Sequence, residues 1–389
     1  MTEQLDRASI DQGPTWPVLT DATRSALREI LVHGVLSRAE IARSLGLSRA
    51  SLTRAVRTLQ EHGFVIEVGT GVRGATGRPS ELLRTSEGVW EFVGVKLTQD
   101  RLYAAVTDLA GRVLALHEEL LRDASPDALV RQVGEVVDRL RGASPAICAL
   151  GVSVPGDVVT RDGVTVVEVS QFLGWRDVPL SDMLERRTGL VTFVANDVDA
   201  LTAKEHWIGA GAGAGVGSMA LVTVGAGVGF GLVSNGEVSE GAHGRFGRVG
   251  HLPVYGGGPD CGVGHAGCVS SYLPSSIVAR NAGHEDAGYD AVVDLARAGD
   301  EQALQALRDA GTALGVLLST VVTLVDPESI VLTGDGLPVY DLARAEVDAA
   351  FAHGLRPYEP AVTVVVQPFE FSEWARAAAV LAVRRLLRF

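Results

Sequence analysis

Between positions 21 and 62 apolar residues recur at helical spacing in three short runs, each bounded by a hydroxyl or a glycine. Leu27, Ile30 and Leu31 mark a first helix from Asp21 to His33, stopped by Gly34. Ser37 precedes Glu40 by three residues, the form of a capping box, so a second helix starts there. Ile41 and Leu45 are its inward face and Gly46 ends it. Ser48 is placed to cap a third helix running to about His62, with Leu52, Val56 and Leu59 inward. Its first turns and outward face carry Arg49, Ser51, Thr53, Arg54 and Arg57. A strand-like run, Phe64 to Val68, then a loop from Gly69 to Pro79 and a second apolar run, Glu81 to Arg84, have the form of a wing. Arg73 and Arg78 lie in its loop.

From about Val89 the period changes. Phe92 to Leu97, Arg101 to Asp108 and Arg112 to His117 read as three strands joined by hairpins. A helix around Asp127 to Arg141 and a strand from Ala146 to Val152 follow. This alternation implies an α/β domain with a mixed sheet. The pattern therefore divides the chain into an arm (1–20) expected to be disordered, a winged helix-turn-helix (21–88) and a larger α/β region (89–389). The larger region is expected to fall into two parts, about 89–200 with 371–389, and about 210–370. The glycine-rich run 209–217 reads as the connector between them.

Composition changes this picture in one respect. The 389-residue chain carries a net charge of -13, a poor balance for meeting phosphate. The charge is uneven: residues 21–88 hold ten Arg against seven acidic residues, the first twenty residues are at -2, and the remainder is at -14. Only the helical segment has the sign that a DNA duplex requires. Helix, short turn, helix, with arginines and hydroxyls opening the second of the pair, is how a recognition helix presents side chains to base edges in the major groove. Arg73 and Arg78 are placed for phosphate or minor-groove contact. A small helical bundle that binds another protein is the plainer alternative. With three cysteines, no apolar leader and apolar stretches that are glycine-rich (217–233) or short (313–325), the chain is expected to be cytoplasmic and to have no membrane partner.

Several motifs together resemble one family. They are Gly151-Val-Ser-Val-Pro-Gly156, Asn196-Asp197, Gly225-Ala-Gly-Val-Gly-Phe-Gly231, Gly247-Arg-Val-Gly-His251, the run from Cys261 to Cys268, and Ile330-Val-Leu-Thr-Gly-Asp-Gly336. In this order and spacing they resemble the ROK family (repressors, open reading frames and kinases), in its NagC/XylR-type regulator branch. The resemblance implies two actin-like, ribonuclease H-like α/β subdomains of the sugar-kinase type, sugar bound in a cleft, and dimers or tetramers.

It also implies what has changed. Family kinases carry an Asp-x-Gly-Gly-Thr-like turn in the first hairpin; here the Asp position is Lys96 and the glycine pair is gone. Ala226 stands where kinases carry a threonine, and Asp335 adds a negative charge near the nucleotide position. Phosphoryl transfer needs positioned phosphates, a metal and a base, so ATP is not expected as a cofactor and the chain is not expected to be an enzyme. Asn196 and Asp197 match the pair that grips the sugar. His251 matches a sugar-binding histidine, but Arg248 and Ser270 replace two sugar-binding glutamates. A guanidinium at 248 favours an acidic ligand, a sugar phosphate or sugar acid; a degenerate pocket that binds nothing is the alternative. The family's zinc site joins the same histidine to three cysteines. Here the middle cysteine is Val263, which leaves His251, Cys261 and Cys268, with His265 a further candidate displaced by two residues. Cys148, in an apolar strand, reads as core.

The expectation is a DNA-binding transcriptional regulator, repressor or activator, whose partners are an operator duplex, a sugar or acidic sugar derivative, and a second copy of itself. The alternatives are an ATP-dependent sugar kinase, and a ligand-independent DNA-binding protein with a degenerate sensor.

Overall fold

The computed structural model describes residues 14–71, 80–161, 163–211, 217–356 and 362–388. Arg73, Arg78 and residues 212–216 of the glycine-rich connector lie outside them. The chain divides into two compact units. One holds the residues up to Ile208 with the C-terminal segment from Phe371; the other runs from Gly209 to Glu370.

The first unit opens with the winged helix: α1 (Asp21–His33), β1 (Leu36–Ser37), α2 (Arg38–Ser44), α3 (Arg49–Glu61), β2 (Val65–Gly71) and β3 (Ser80–Thr85). Each helix starts on a hydroxyl that accepts from the first turn: Thr20 from Thr23, Ser37 from Glu40 and Ser48 from Ser51. Ser37 and Glu40 complete the reciprocal capping box. Each such cap contributes about 1 kcal/mol, enough to fix where short helices begin. The wing is a three-stranded sheet in the order β1-β3-β2, not the two strands that the apolar runs suggest. Arg38 of α2 pairs with Glu67 on one wing strand and Glu81 on the other.

Residues 14–20 belong to the fold rather than to an arm. Leu19 is buried, and the Trp16 ring lies 4.9 Å from Phe64, 5.3 Å from Trp90 and 5.9 Å from Phe92. Trp90 stacks on Phe64 at 4.8 Å and donates its indole N–H to the His62 carbonyl. Four large rings bury too much apolar surface to stay in water, so they weld the winged helix to the sheet that follows. The same core continues through Trp207, Ala379, Val383 and Leu387.

The rest of this unit comprises β4 (Glu91–Leu97), β5 (Arg101–Asp108), β6 (Val113–Leu120), α4 (Pro126–Ala143), β7 (Ile147–Val154), β8 (Asp157–Arg161), β9 (Val164–Ser170), β10 (Trp175–Val178), α5 (Leu180–Thr188), β11 (Val191–Asn196) and α6 (Asp197–Ile208). Its main sheet has the order β11-β7-β4-β5-β6, parallel from β11 to β4 and antiparallel beyond. A small antiparallel sheet, β10-β9-β8, sits beside it. The C-terminal helix, Phe371–Leu386, lies on β4 and β7 at glycine-width separation. A Cβ on Gly94 would come 1.9 Å from the Ala375 carbonyl oxygen, and one on Gly151 1.8 Å from that of Ala378. The alanines of the helix and the glycines of the sheet are one device for close approach.

The second unit contains β12 (Met219–Val224), β13 (Val228–Ser234), β14 (Glu237–Val238), α7 (Ser275–Asn281), α8 (Gly288–Arg297), α9 (Glu301–Val325), β15 (Ser329–Thr333), α10 (Pro338–Leu342), α11 (Arg344–Gly354) and β16 (Thr363–Val366). Its sheet repeats the mixed plan in the order β14-β13-β12-β15-β16. The apolar stretch 313–325 is the second half of α9. At 25 residues this helix meets the length and hydropathy of a membrane span, but more than half of its apolar window is buried within the unit. Leu307, Leu314, Leu317 and Leu318 are at the centre of that core, so α9 is a core helix.

Candidate functional site

The recognition helix is built as its pattern implies. Leu52, Ala55, Val56 and Leu59 are buried against α1 and the wing, which turns the opposite face of α3 outward. Arg49, Thr53, Arg54 and Arg57 are exposed and Ser51 is half-buried. Arg57 pairs with Glu61 one turn on, at 2.8 Å. Thr53 donates its hydroxyl to the Arg49 carbonyl, and Ser51 accepts from Ser48. Among the described residues neither Arg49 nor Arg54 has an ion-pair partner.

The candidate ligand residues are divided between the two units. In the first, Asn196 ends β11 and Asp197 opens α6. Asn196 donates to the Gly156 carbonyl at 2.8 Å and accepts from the Val198 N–H, so both ends of its amide are engaged. Asp197 accepts from Val198 N–H and from Lys96, whose ammonium is 2.6 Å from Oδ2. Lys96 is buried on β4, with its ammonium 5.0 Å from the centre of the Trp374 ring on the C-terminal helix. The side chains of Lys96 and Asp197 are only 5% and 16% exposed. Each charge offsets the desolvation of the other, because an isolated charge at this depth would be costly.

In the second unit the turn between β12 and β13 holds Gly225, Ala226 and Gly227. The Asp335 carboxylate is packed on it: a Cβ on Gly225 would lie 1.7 Å from Asp335 Oδ1. Desolvation by the surrounding loop, with the Asp290 charge adding to it, raises the Asp335 carboxyl above its usual range. Arg248 is exposed and precedes the 3-10 turn Val249–His251. Ser270 closes on this turn, with its hydroxyl 2.5 Å from where a Cβ on Gly250 would stand.

His251, Cys261 and His265 bring their ligand atoms within 4.8 Å of one another. Cys268, buried, stands off this trio with Sγ 3.7 Å from His251 Nδ1. Two nitrogens and two sulfurs converging in this way fit zinc by donor type. Burial works against ionisation of the Cys261 thiol, but N–H donation from Val263 and His265, with Cys268 alongside, holds it below its usual value. Cys148 is different: burial pushes its thiol up to about 12, and its sulfur donates to the Glu91 carbonyl. It is a core residue.

Two features here carry no sequence signal. Trp374 reaches Lys96 from the far end of the chain, and the compactness of the His265 side of the cluster depends on a hairpin rather than on ligand spacing.

A model of the ROK family matches residues 92–384. The chain belongs to the ROK family. A model of the MarR family matches residues 19–66, within the winged helix. The xylose repressor of Bacillus spizizenii is 25% identical over 312 residues, covering 79% of this chain and 80% of its own. The DNA-binding transcriptional dual regulator NagC of Escherichia coli K12 is 26% identical over 320 residues, covering 78% and 77%. A solved ROK-family transcriptional regulator, a homologue of the E. coli MLC protein, superposes with a TM-score of 0.79 at 22% identity, covering 94% of this chain and 96% of its own. The fold is thus a MarR-like winged helix-turn-helix followed by the ROK sugar-kinase-like domain. The relatives named are regulators, although kinases share the ROK fold.

Proposed function

We propose that this ROK protein is a sequence-specific DNA-binding transcriptional regulator whose kinase-like domain senses a sugar or sugar derivative and transfers no phosphate. The observation that carries the reading is the outward face of α3, where Arg49 and Arg54 stand exposed on a helix fixed by the Ser48 cap and a buried apolar face. Unpaired arginines at the start of a rigid helix are suited to guanine edges and phosphate. A homodimer would present two such helices to the halves of a pseudo-palindrome.

The ion pair supports the loss of kinase activity. A general base must be free to take the proton of the accepting hydroxyl. Asp197, the position expected for that base, is held by Lys96 at 2.6 Å. Asp335 sets a carboxylate against the Gly225 turn, where phosphate oxygens would need donors. Arg248 puts an exposed guanidinium where the family carries a sugar-binding glutamate, which favours an acidic sugar derivative over a neutral one.

Two assays test this reading. With ATP and a panel of neutral sugars the protein is expected to show no turnover; robust phosphorylation of any of them overturns the reading of Lys96 and Asp335. In thermal unfolding, a sugar acid or sugar phosphate at about 100 times its Kd should add roughly 2.7 kcal/mol of stability. Stabilisation by neutral sugars alone would contradict the acidic preference.

A further inference from the structure

The three-cysteine pattern is broken in this chain at Val263, and spacing offers His265 only as a candidate displaced by two residues. The local backbone brings it into place. Residues 261–265 close a tight hairpin in which the Cys261 N–H donates to the His265 carbonyl at 2.9 Å, and Asp260 bridges to Ala266 across it. Gly262 and Gly264 both have positive φ (86° and 93°), the conformation that lets so short a turn close. Cys261 and His265 therefore face one another while Val263, at the tip, is 64% exposed and its side chain has no ligand atom to offer.

A second set of backbone bonds brings in the other two residues. Val269 N–H donates to Leu252, Val254 N–H to Gly267, and Pro253 bridges to Cys268. This places Cys268 beside the segment that carries His251. Gly267 must be glycine, because a Cβ there would meet the carbonyl oxygens of Gly257 and Tyr255 at 2.5 and 2.6 Å.

The distances within the trio, and that from Cys268 to His251, have the size of tetrahedral edges. The two Nδ1 atoms of His251 and His265 are 3.2 Å apart. Cys261 Sγ is 3.8 Å from each of them, and Cys268 Sγ is 3.7 Å from that of His251. Zinc bonds of about 2.05 Å to nitrogen and about 2.3 Å to sulfur imply tetrahedral edges of about 3.3 Å for N–N and about 3.6 Å for N–S. Two ring nitrogens and two sulfurs that turn toward one point repel through their lone pairs unless protons or a cation sit between them.

We propose that His265 replaces the missing cysteine, so that this chain binds one zinc ion through His251, Cys261, His265 and Cys268. The site depends on a ligand from outside the family spacing. Two thiolates balance the charge of the ion, where three would leave an excess negative charge. With the metal in place the loop from Val249 to Ser271 is closed at both ends, and Arg248 and His251 are held in a fixed relation.

Metal content of the purified full-length protein, and the visible spectrum of its Co2+-substituted form, test this assignment. The wild type should hold one equivalent of zinc and give the intense ligand-field bands of tetrahedral cobalt with sulfur charge transfer. His265→Ala should lose the stoichiometric metal and the tetrahedral bands, and adding Val263→Cys in that background should restore both by recreating the three-cysteine pattern. His265→Cys guards against a variant that fails to fold; it should keep the equivalent and gain charge-transfer intensity. A wild type that binds no zinc at stoichiometric concentration, or a folded His265→Ala protein with unchanged metal content and cobalt spectrum, overturns the proposal.

Discussion

The recognition helix and the region of β4 and α6 in the first unit treat charge in opposite ways. On α3 the arginines stand in water on a capped, apolar-backed helix, and only Arg57 is tied to a neighbour, Glu61. Around β4 and α6 the lysines are buried and matched by carboxylates: Lys96 by Asp197, and Lys204 by Glu205 and Glu373. A surface meant for a polyanion gains by leaving cations unneutralised until the partner arrives, because each one that meets phosphate releases counterions. On the function proposed above, Asp197 stands where a kinase would hold its base, and a lysine fixed on it leaves no free carboxylate for proton transfer. The two regions thus contrast cations left in water with a buried pair matched within the fold.

The largest effect should come from the buried pair. Lys96→Met leaves Asp197 uncompensated and should cost about 3–5 kcal/mol in denaturant unfolding, as breaking a buried pair does. Adding Asp197→Leu should recover most of that loss. A single variant as stable as the wild type would mean that the pair is not part of the fold's stability, and the comparison would fail on that side.

On the recognition helix the expectation is reversed. Arg49→Ala and Arg54→Ala should each weaken binding to a specific duplex by about 1–3 kcal/mol in fluorescence anisotropy. Both should change unfolding stability by less than about 0.5 kcal/mol, as surface substitutions do. A large stability loss would show these arginines to be structural.

The smallest effect tests the one tie on α3. Glu61→Gln removes an exposed i,i+4 pair worth about 0.3–0.5 kcal/mol in stability. It should raise affinity for DNA slightly and steepen the salt dependence by up to about one phosphate contact, as Arg57 becomes available. Weaker DNA binding in this variant would instead give Glu61 a role in orienting Arg57.

How much of this was legible in the sequence depends on distance along the chain. The caps at Ser37 and Ser48 and the apolar faces of α1 and α3 are local, and each is where the spacing puts it. β1 is two residues long, too short for any periodicity to reveal. Trp16 lies in a polar, proline-containing stretch, and only the ring cluster of Phe64, Trp90 and Phe92 makes it part of the core. The motifs located Lys96 and Asp197 separately, but their pairing joins positions 101 apart. Spacing offers His265 only as a candidate displaced by two residues; a hairpin closed by two positive-φ glycines sets it opposite Cys261 despite that displacement. Pattern reads local structure well, and misses the contacts that need the whole chain to be folded.

The central claim is that the outward face of α3 reads a DNA sequence, and selection from a pool of random duplexes tests it most directly. Full-length protein, immobilised and washed at physiological salt, should enrich one inverted repeat whose half-sites lie about one helical turn apart. The Arg49→Ala/Arg54→Ala double variant should enrich nothing. Specific binding should exceed that to the unselected pool by roughly 1,000-fold or more. Failure of the wild type to enrich any sequence, with only salt-sensitive retention of the whole pool, would contradict the account.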